Sequence, residues 1–450
     1  MTLRIGGSAA DDLGFNSTHG TIRLDAGYWD RIVAFASRCG FRLAWDLNMR
    51  VGRGPGVLSN VTWDPQDVVR QLDHMQSARQ SVWAFQLGNE PGHWQTRNAG
   101  FPTPDQHGRD FVVLDELLRR YYPEASRRPR IQGPDVCFGQ GTQSSPCASM
   151  AYLRRLLSSA NHTIDDLTVH DYGFQGPDPR DPSASKCGNL SRFLDPDLWA
   201  GRVLPTIDAW DAVRRELVPR ADLVLSETAT TADAGCPGKS NRFVAGFYFV
   251  DILGVLGERG LAQVYRQDLV GFSGIGGGSS YAMMGPPGWY SASGSGRLTP
   301  HPDYFTALLW RSLVGPTRLR ASVAAPRCAP GAARFHAACA VGGGVVVSYI
   351  NPSSTGFALK LAVADSAHVA AGAELELYVL TAPYGNLTSD GVLLNGNLLA
   401  PGSSLRPVLQ PSSTAAQIPP FSYGFVVDRS ATRTCHARAL TQSAAQASAA

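Results

Sequence analysis

The sequence predicts an α/β fold, a (β/α)8-type TIM barrel, followed by an antiparallel β-sandwich. Three observations carry this reading. Short apolar runs that stop at glycine or a polar residue alternate with stretches of helical periodicity as far as Leu313, the pattern of parallel strands joined by helices. A helix on every connection points to a barrel rather than an open sheet. After Gly315 the helical period ceases, and short strand candidates follow one another between Gly, Pro, Ser and Asn.

Taken in order, Leu3-Arg4-Ile5 runs into Gly6-Gly7 as a first strand, and Tyr28 to Cys39 carries apolar residues at helical spacing up to Gly40. The alternation continues with strand Phe41 to Met49, helix Pro65 to Ala78, strand Val82 to Gly88, helix Phe111 to Tyr122, strand Arg130 to Asp135, helix Ala148 to Ser159 and strand Leu167 to His170. A Pro-rich irregular stretch, Gly176 to Pro182, interrupts it. Helix Leu198 to Val218, strand Ala221 to Glu227, helix Asn241 to Leu256, strand Leu261 to Arg266 and helix Asp303 to Leu313 complete the series. That makes seven strands where a closed barrel has eight. The first βα unit is therefore expected to be missing ahead of Leu3, so that an N-terminal segment completes the barrel or a long edge stays unpaired. Arg318 to Val323, Gly342 to Ile350, Ala358 to Val363, Leu375 to Val379 and Phe421 to Val427 are the sandwich strands. The expected division is a barrel domain over 1–315, a sandwich over 316–430 and a disordered Ala/Ser/Gln-rich tail over 431–450.

A chain of 450 residues exceeds what a single core holds, about 300 residues, so two domains are expected. The balance of 40 Lys+Arg against 37 Asp+Glu gives no reason to expect a nucleic acid partner. The one dense basic run, Arg119-Arg120 with Arg127, Arg128 and Arg130, reads as a solvated helix end. No window approaches 18 uninterrupted apolar residues, so no membrane span is predicted, and Met1 to Gly7 lacks the apolar core of a signal peptide. Glycosylation sequons at Asn16, Asn60, Asn161, Asn189 and Asn386 are compatible with a secretory route. The eight cysteines show neither CxxC nor Cys/His spacing, which makes them disulfide partners or buried thiols rather than zinc ligands.

Two strand ends stand out. Val82 to Leu87 reads as a buried strand closed by Gly88 that delivers Asn89 and Glu90 before Pro91 stops the ladder. Leu223-Val224-Leu225-Ser226 delivers Glu227 in the same way. Two acids brought by different strands to the carboxyl face of one barrel can stand about 5 Å apart, the separation of a retaining glycosidase. An amide at Asn89 can hold a sugar 2-hydroxyl. His170 and Tyr172, at the end of another strand, are expected on the same rim. Arg266 and Gln267 end the last strand, where Arg266 is expected to pair with the nucleophile's carboxylate and keep it ionised. Gly6-Gly7-Ser8 can bring backbone and hydroxyl close to substrate. Gly271 to Gly278 lacks the Lys-Ser/Thr and the helix start of a phosphate loop and reads as a flexible rim loop.

Leu87-Gly88-Asn89-Glu90-Pro91, Gly133-Pro134-Asp135, Ser226-Glu227-Thr228, Ala245-Gly246-Phe247, Arg266-Gln267 and Pro302-Asp303-Tyr304 occur in the order and near the spacing of the heparanase family, glycoside hydrolase family 79. Leu394-Asn395-Gly396 and Pro420-Phe421-Ser422-Tyr423 resemble that family's sandwich, so the resemblance covers nearly the whole chain. It implies a heparanase-like β-glucuronidase with Glu90 as acid/base and Glu227 as nucleophile. The approach of the second carboxylate is expected to raise the pKa of Glu90. The resemblance also implies that Ser8, Asn89, His170, Arg266, Gln267 and Tyr304 line the sugar site, with Tyr304 and the backbone after Glu227 on the uronate carboxylate. A disulfide between Cys339 and Cys435 follows from the same likeness. No metal or organic cofactor is needed. The implied partner is a glucuronic-acid-containing glycan or glucuronide, and the implied location is secreted, in the cell wall or in a lysosome or vacuole. Ala232-Asp233-Ala234 departs from the family's Tyr-Gly-Gly after the nucleophile and sets Asp233 against a uronate. Basic clusters suited to heparan sulfate are not evident, which favours a smaller or less sulfated glucuronide. The rival reading is a catalytically impaired carbohydrate-binding or interaction protein with an incomplete barrel; the presence of both acids argues against it.

Overall fold

Seven parallel strands form one sheet in chain order: β1 (Thr2–Ile5), β2 (Arg42–Leu47), β3 (Ala84–Leu87), β4 (Arg130–Cys137), β5 (Asp166–His170), β6 (Asp222–Thr228) and β7 (Gln263–Arg266). The structure is a computed structural model that describes the chain except residues 18–21, 51–62, 93–101, 138–148, 175–186, 233, 272–278, 286–297, 323–332, 363–372, 433–434 and 436–450. The glycine run after Gly271, the Pro-rich interruption, Asp233, the sequon at Asn60 and most of the tail thus lie outside the described residues. Two units are distinguished, one of Met1–Asp171, Leu204–Glu227 and Leu261–Tyr265, the other of Tyr172–Val203, Thr228–Gly260 and Arg266–Ala450.

In the first unit, β3 and β5 are buried along their whole length, as parallel strands covered on both faces are. They are not wholly apolar. Asp46, Gln86, Gln132 and Asp166 are register partners across β2 to β5 and form a buried polar layer. Part of that layer satisfies itself, since Gln86 Nε2 donates to Gln132 Oε1 (3.2 Å) and Gln132 Nε2 donates to Asp166 Oδ2 (2.9 Å). At the two free edges, Thr2 Oγ1 donates to Gln263 Oε1 (3.1 Å), so β1 and β7 approach through side chains without a backbone ladder between them. The result is a nearly closed barrel of the seven strands the sequence predicts.

Helices α1 (Ala26–Arg38), α2 (Gln66–Ser77), α3 (Pro104–Tyr121) and α4 (Met150–Ala160) fill the connections in this unit. Asp25 caps α1 by accepting from the Tyr28 N–H (2.7 Å), and Ser149 caps α4 in the same way. α3 starts at Pro104, well ahead of the predicted Phe111. Its first turns, from the Thr103 cap through Pro104 to Asp110, are polar and carry no apolar period, yet Gln106, His107 and Asp110 are buried.

The second unit contains α6 (Ala245–Glu258), α7 (Pro302–Leu313) and an antiparallel sheet; α5 (Pro196–Leu217) is divided between the two units. The sheet runs β8 (Val314–Leu319), β9 (Arg334–Ala340), β10 (Val345–Asn351), β13 (Ser422–Asp428) and β11 (Glu374–Thr381), with β12 (Val408–Pro411) beside β11. Tyr349, Phe357, Leu375, Leu377, Ala416, Ile418 and Val426 make its core against a small second sheet of Phe357–Leu359 and Ala416–Ile418. β9 escapes sequence reading because it is built of alanines rather than β-branched residues; its pairing with the valines of β10 holds it extended. α6 is apolar all round, as a helix inside a core is, and packs on β9 and β10. Disulfides join Cys187 to Cys236 and Cys339 to Cys435, while Cys39 is free and exposed. Among the described residues no helix is long and apolar enough to cross a membrane.

Candidate active site

The carboxyl ends of β1 to β6 converge on one cluster of charged side chains within the first unit. Gly88 turns the chain out of β3 with φ of 76°, and Glu90 follows with φ of 41°, a left-handed conformation uncommon for a residue with a Cβ. Two sets of bonds hold this turn. The Asn89 N–H reaches both oxygens of buried Asp11 (3.3 Å), and the Glu90 N–H donates to the Asp135 carbonyl (2.9 Å). On the other side, β5 and β6 run in register until a shift between Val169 and His170, after which His170 stands opposite Glu227.

These backbones bring together Glu90, His170 and Glu227, whose facing oxygen and nitrogen atoms all lie within 4.8 Å of one another. His170 Nδ1 is 2.9 Å from Glu90 Oε1 and 3.7 Å from Glu227 Oε2, and its Nε2 is 3.3 Å from Asp135 Oδ1. Arg4 of β1 reaches into the same cluster. Its Nη1 donates to Glu227 Oε2 (2.9 Å), its Nη2 to Asn89 Oδ1 (2.9 Å) and its Nε to Gln86 Oε1 (2.7 Å). The His170 side chain is wholly buried, whereas Glu90 and Glu227 keep 12% and 9% of theirs exposed, so the two acids are the members of the trio that solvent reaches.

The electrostatics follow from burying several charges together. Burial pulls the pKa of His170 down, but Glu227, Asp135 and Glu90 outweigh it and push it up to about 10. Burial would raise Asp135, but Arg4 and His170 hold it below the usual carboxylate range, and Ser226 Oγ donates to it as well. Asp46, also beside Arg4, goes the other way, because burial prevails and lifts it well above the ordinary range. The spacing of Glu90, His170 and Glu227 would allow a shared metal ion. Both His170 ring nitrogens face carboxylates, Nδ1 at 2.9 Å from Glu90 Oε1 and Nε2 at 3.3 Å from Asp135 Oδ1, and the same contacts favour its protonated form, so the trio is a pair of acids with a histidine between them.

Of the other predicted site residues, Asn89 joins the cluster through Arg4, and Ser8 is exposed in the turn after β1. Tyr172, Arg266, Gln267 and Tyr304 belong to the second unit. There Tyr172 is buried and stacked on Tyr281, with centroids 6.4 Å apart. The Gln267 N–H donates to the Thr228 carbonyl (2.9 Å), and Tyr304 meets Phe305 edge to face. Arg266 corrects an expectation, for its Nη2 pairs with the buried carboxylate of Asp303 at 2.7 Å, and the guanidinium on Glu227 is that of Arg4. Sequence reading does not single out Arg4, Asp46 or Asp11. A usable signal exists for the first two, namely a charged residue flanked by apolar ones within a strand, Leu3-Arg4-Ile5 and Trp45-Asp46-Leu47.

A family model described as "Glycosyl hydrolase family 79, N-terminal domain" matches residues 7–254. Heparanase of Gallus gallus is 30% identical over 414 residues, 89% of this chain and 70% of its own. Hyaluronoglucuronidase of Hirudo nipponia is 27% identical over 409 residues, 89% of this chain and 75% of its own. Among solved structures, the GH51 arabinofuranosidase from Xanthomonas axonopodis pv. citri superposes with a TM-score of 0.55 at 15% identity, over 94% of this chain and 86% of that one, a likeness of fold.

Proposed function

Since the chain belongs to glycoside hydrolase family 79, we propose that it is a retaining glycosidase that cleaves β-linked glucuronides by double displacement. The observation that carries the proposal is the separation of Glu90 and Glu227, whose facing atoms lie within 4.8 Å. Retaining enzymes hold their two carboxyl groups about 5 to 5.5 Å apart, whereas inverting ones leave about 6.5 to 9.5 Å for a water. In the first step a Glu227 oxygen attacks the anomeric carbon, the glycosidic C–O bond breaks, and the leaving oxygen takes the proton of Glu90. In the second, water attacks the anomeric carbon and gives its proton to Glu90, and the Glu227 carboxylate departs.

The surroundings have parts to play in this scheme. Arg4 answers the charge of the Glu227 carboxylate and fixes its oxygen, and by occupying Asn89 Oδ1 it leaves the Asn89 amide nitrogen to donate to the sugar 2-hydroxyl. His170, cationic and between the two acids, screens them from each other. A glucuronic-acid-containing glycan as substrate is supported by the relatives named heparanase and hyaluronoglucuronidase. The test is turnover of an aryl β-glucuronide by Glu227→Gln, expected to vanish, together with the anomer first released by the wild type, expected to be β. Unchanged activity in the variant removes Glu227 from the nucleophile's role, and initial release of the α anomer rejects retention.

A further inference from the structure

β2 contributes a carboxyl that this mechanism does not use. Asp46 is 1% exposed, and neither of its oxygens has a hydrogen-bond partner among the described residues. The cation beside it is Arg4, whose Nη2 lies 3.7 Å from Oδ2. The carboxyl fits because residue 6 is glycine. A Cβ there would stand 2.8 Å from Asp46 Cβ and 2.9 Å from Oδ2, so the backbone after β1 closes directly over the acid. An anion buried without hydrogen bonds is disfavoured by several kcal/mol, and only a strong cation offsets that.

Arg4 is already engaged. Its three nitrogens donate to Gln86, Asn89 and Glu227, and Asp135 Oδ2 lies 3.8 Å away. One guanidinium thus faces Glu227, Asp135 and Asp46, and Asp46 holds the contact without a hydrogen bond. We propose that Asp46 is a positioning residue for the reaction read above. As a neutral acid it leaves Arg4 to Glu227; as an anion it competes for the same guanidinium and adds negative potential around both glutamates.

The charged groups facing Asp46 are Arg4 on β1, Asp11 in the segment after it, Asp135 on β4 and His170 on β5. Burial, Asp11 and Asp135 favour the neutral form; Arg4 and His170 favour the anion; burial prevails. The consequence is asymmetric in pH. On the acid side of the activity profile Asp46 is neutral in any case. On the alkaline side ionised Asp46 draws Arg4 from Glu227, which lowers the rate, while its negative potential opposes deprotonation of the acid/base, which moves the limb itself upward.

The experiment is kcat/KM across pH for an aryl β-glucuronide, comparing wild type with Asp46→Asn, which keeps the shape and removes the charge. The alkaline limb is expected to move down by about half a pH unit, a modest Coulombic effect at partly screened range, while the acid limb stays in place. Unmoved limbs, or movement of the acid limb alone, overturn the proposal, and a merely structural Asp46 would show up as a lower unfolding midpoint with unmoved limbs. If Asp46→Asn does not fold, the smaller neutral Asp46→Ser is read for the same asymmetry. The inference rests on the glucuronidase reading, and the two fail separately. If the wild type hydrolyses no β-glucuronide, that reading falls, and Asp46 is judged by infrared difference spectra, where a protonated carboxyl band present at neutral pH in the wild type and lost in the variant upholds a neutral Asp46, and its absence overturns it.

Discussion

Arg4→Lys separates the charge of Arg4 from its shape. The guanidinium makes three hydrogen bonds from three nitrogens, to Gln86, Asn89 and Glu227, at 2.7, 2.9 and 2.9 Å. A lysine offers one nitrogen. If that nitrogen stays with Glu227, the buried amide oxygens of Gln86 and Asn89 each lose a charged donor, at about 1.5 to 3 kcal/mol apiece. Gln86 lies within the strand, beneath the site, so its share appears mainly as lost stability. Asn89 faces the sugar in the proposed mechanism, and its share, with the looser hold on Glu227, appears in the transition state. About 3 kcal/mol there is roughly a hundredfold loss. The assay is kcat and KM on an aryl β-glucuronide, paired with urea unfolding of the same samples. The expected outcome is a kcat lower by about a hundredfold, KM within a few-fold of wild type, and a lower unfolding midpoint. An Arg4→Lys enzyme that keeps a kcat within a few-fold of wild type would refute the reasoning, because it would mean that a bare positive charge near Glu227 is sufficient.

Two further predictions concern the second unit. His336 lies between Asp251 and Glu258 of α6, 2.8 Å from each, and these contacts outweigh burial to push it up to about 9. Its folded pKa is raised, so the stability it contributes is fully present below about pH 6.5 and is lost as pH rises through 9; with a discount for the partly exposed Glu258, the loss between pH 7 and 9 is about 1 to 1.5 kcal/mol. Urea midpoints measured over that range should fall more steeply for wild type than for His336→Gln, and parallel curves would reject the coupling. At Gly254 an added Cβ would lie 2.2 Å from the His336 ring, so Gly254→Ala should destabilise by about 2 kcal/mol through overpacking. In a His336→Gly background, which also removes the His336 Cβ that would stand 2.7 Å from the added carbon, that cost should largely disappear, and an undiminished cost in the double variant would show that the clash lies elsewhere.

The strand ends that carry Glu90, His170 and Glu227 are readable because each follows an apolar run that stops at a residue unable to prolong it, and the structure puts all three within one cluster. The start of α3 is hidden for the opposite reason. Its first turns bury Gln106, His107 and Asp110 by pairing polar groups, a kind of burial that hydrophobic periodicity cannot register. β9 is hidden because Ala-Ala-Cys-Ala is extended only by its ladder to β10. The arginine that serves Glu227 shows a deeper limit. Four arginines stand in strands of the barrel sheet, Arg4, Arg42, Arg130 and Arg266, and residue type alone does not choose among them. The choice depends on which carboxylate each meets. Arg266 has its own buried partner in Asp303 at 2.7 Å, whereas Arg4 enters a group with more carboxyls than cations and is shared among them. A charge buried inside a strand is costly unless it is answered nearby. Leu3-Arg4-Ile5 and Trp45-Asp46-Leu47, on neighbouring strands, therefore each imply a partner, and their joint presence points to the barrel interior as the place where the opposing charges meet.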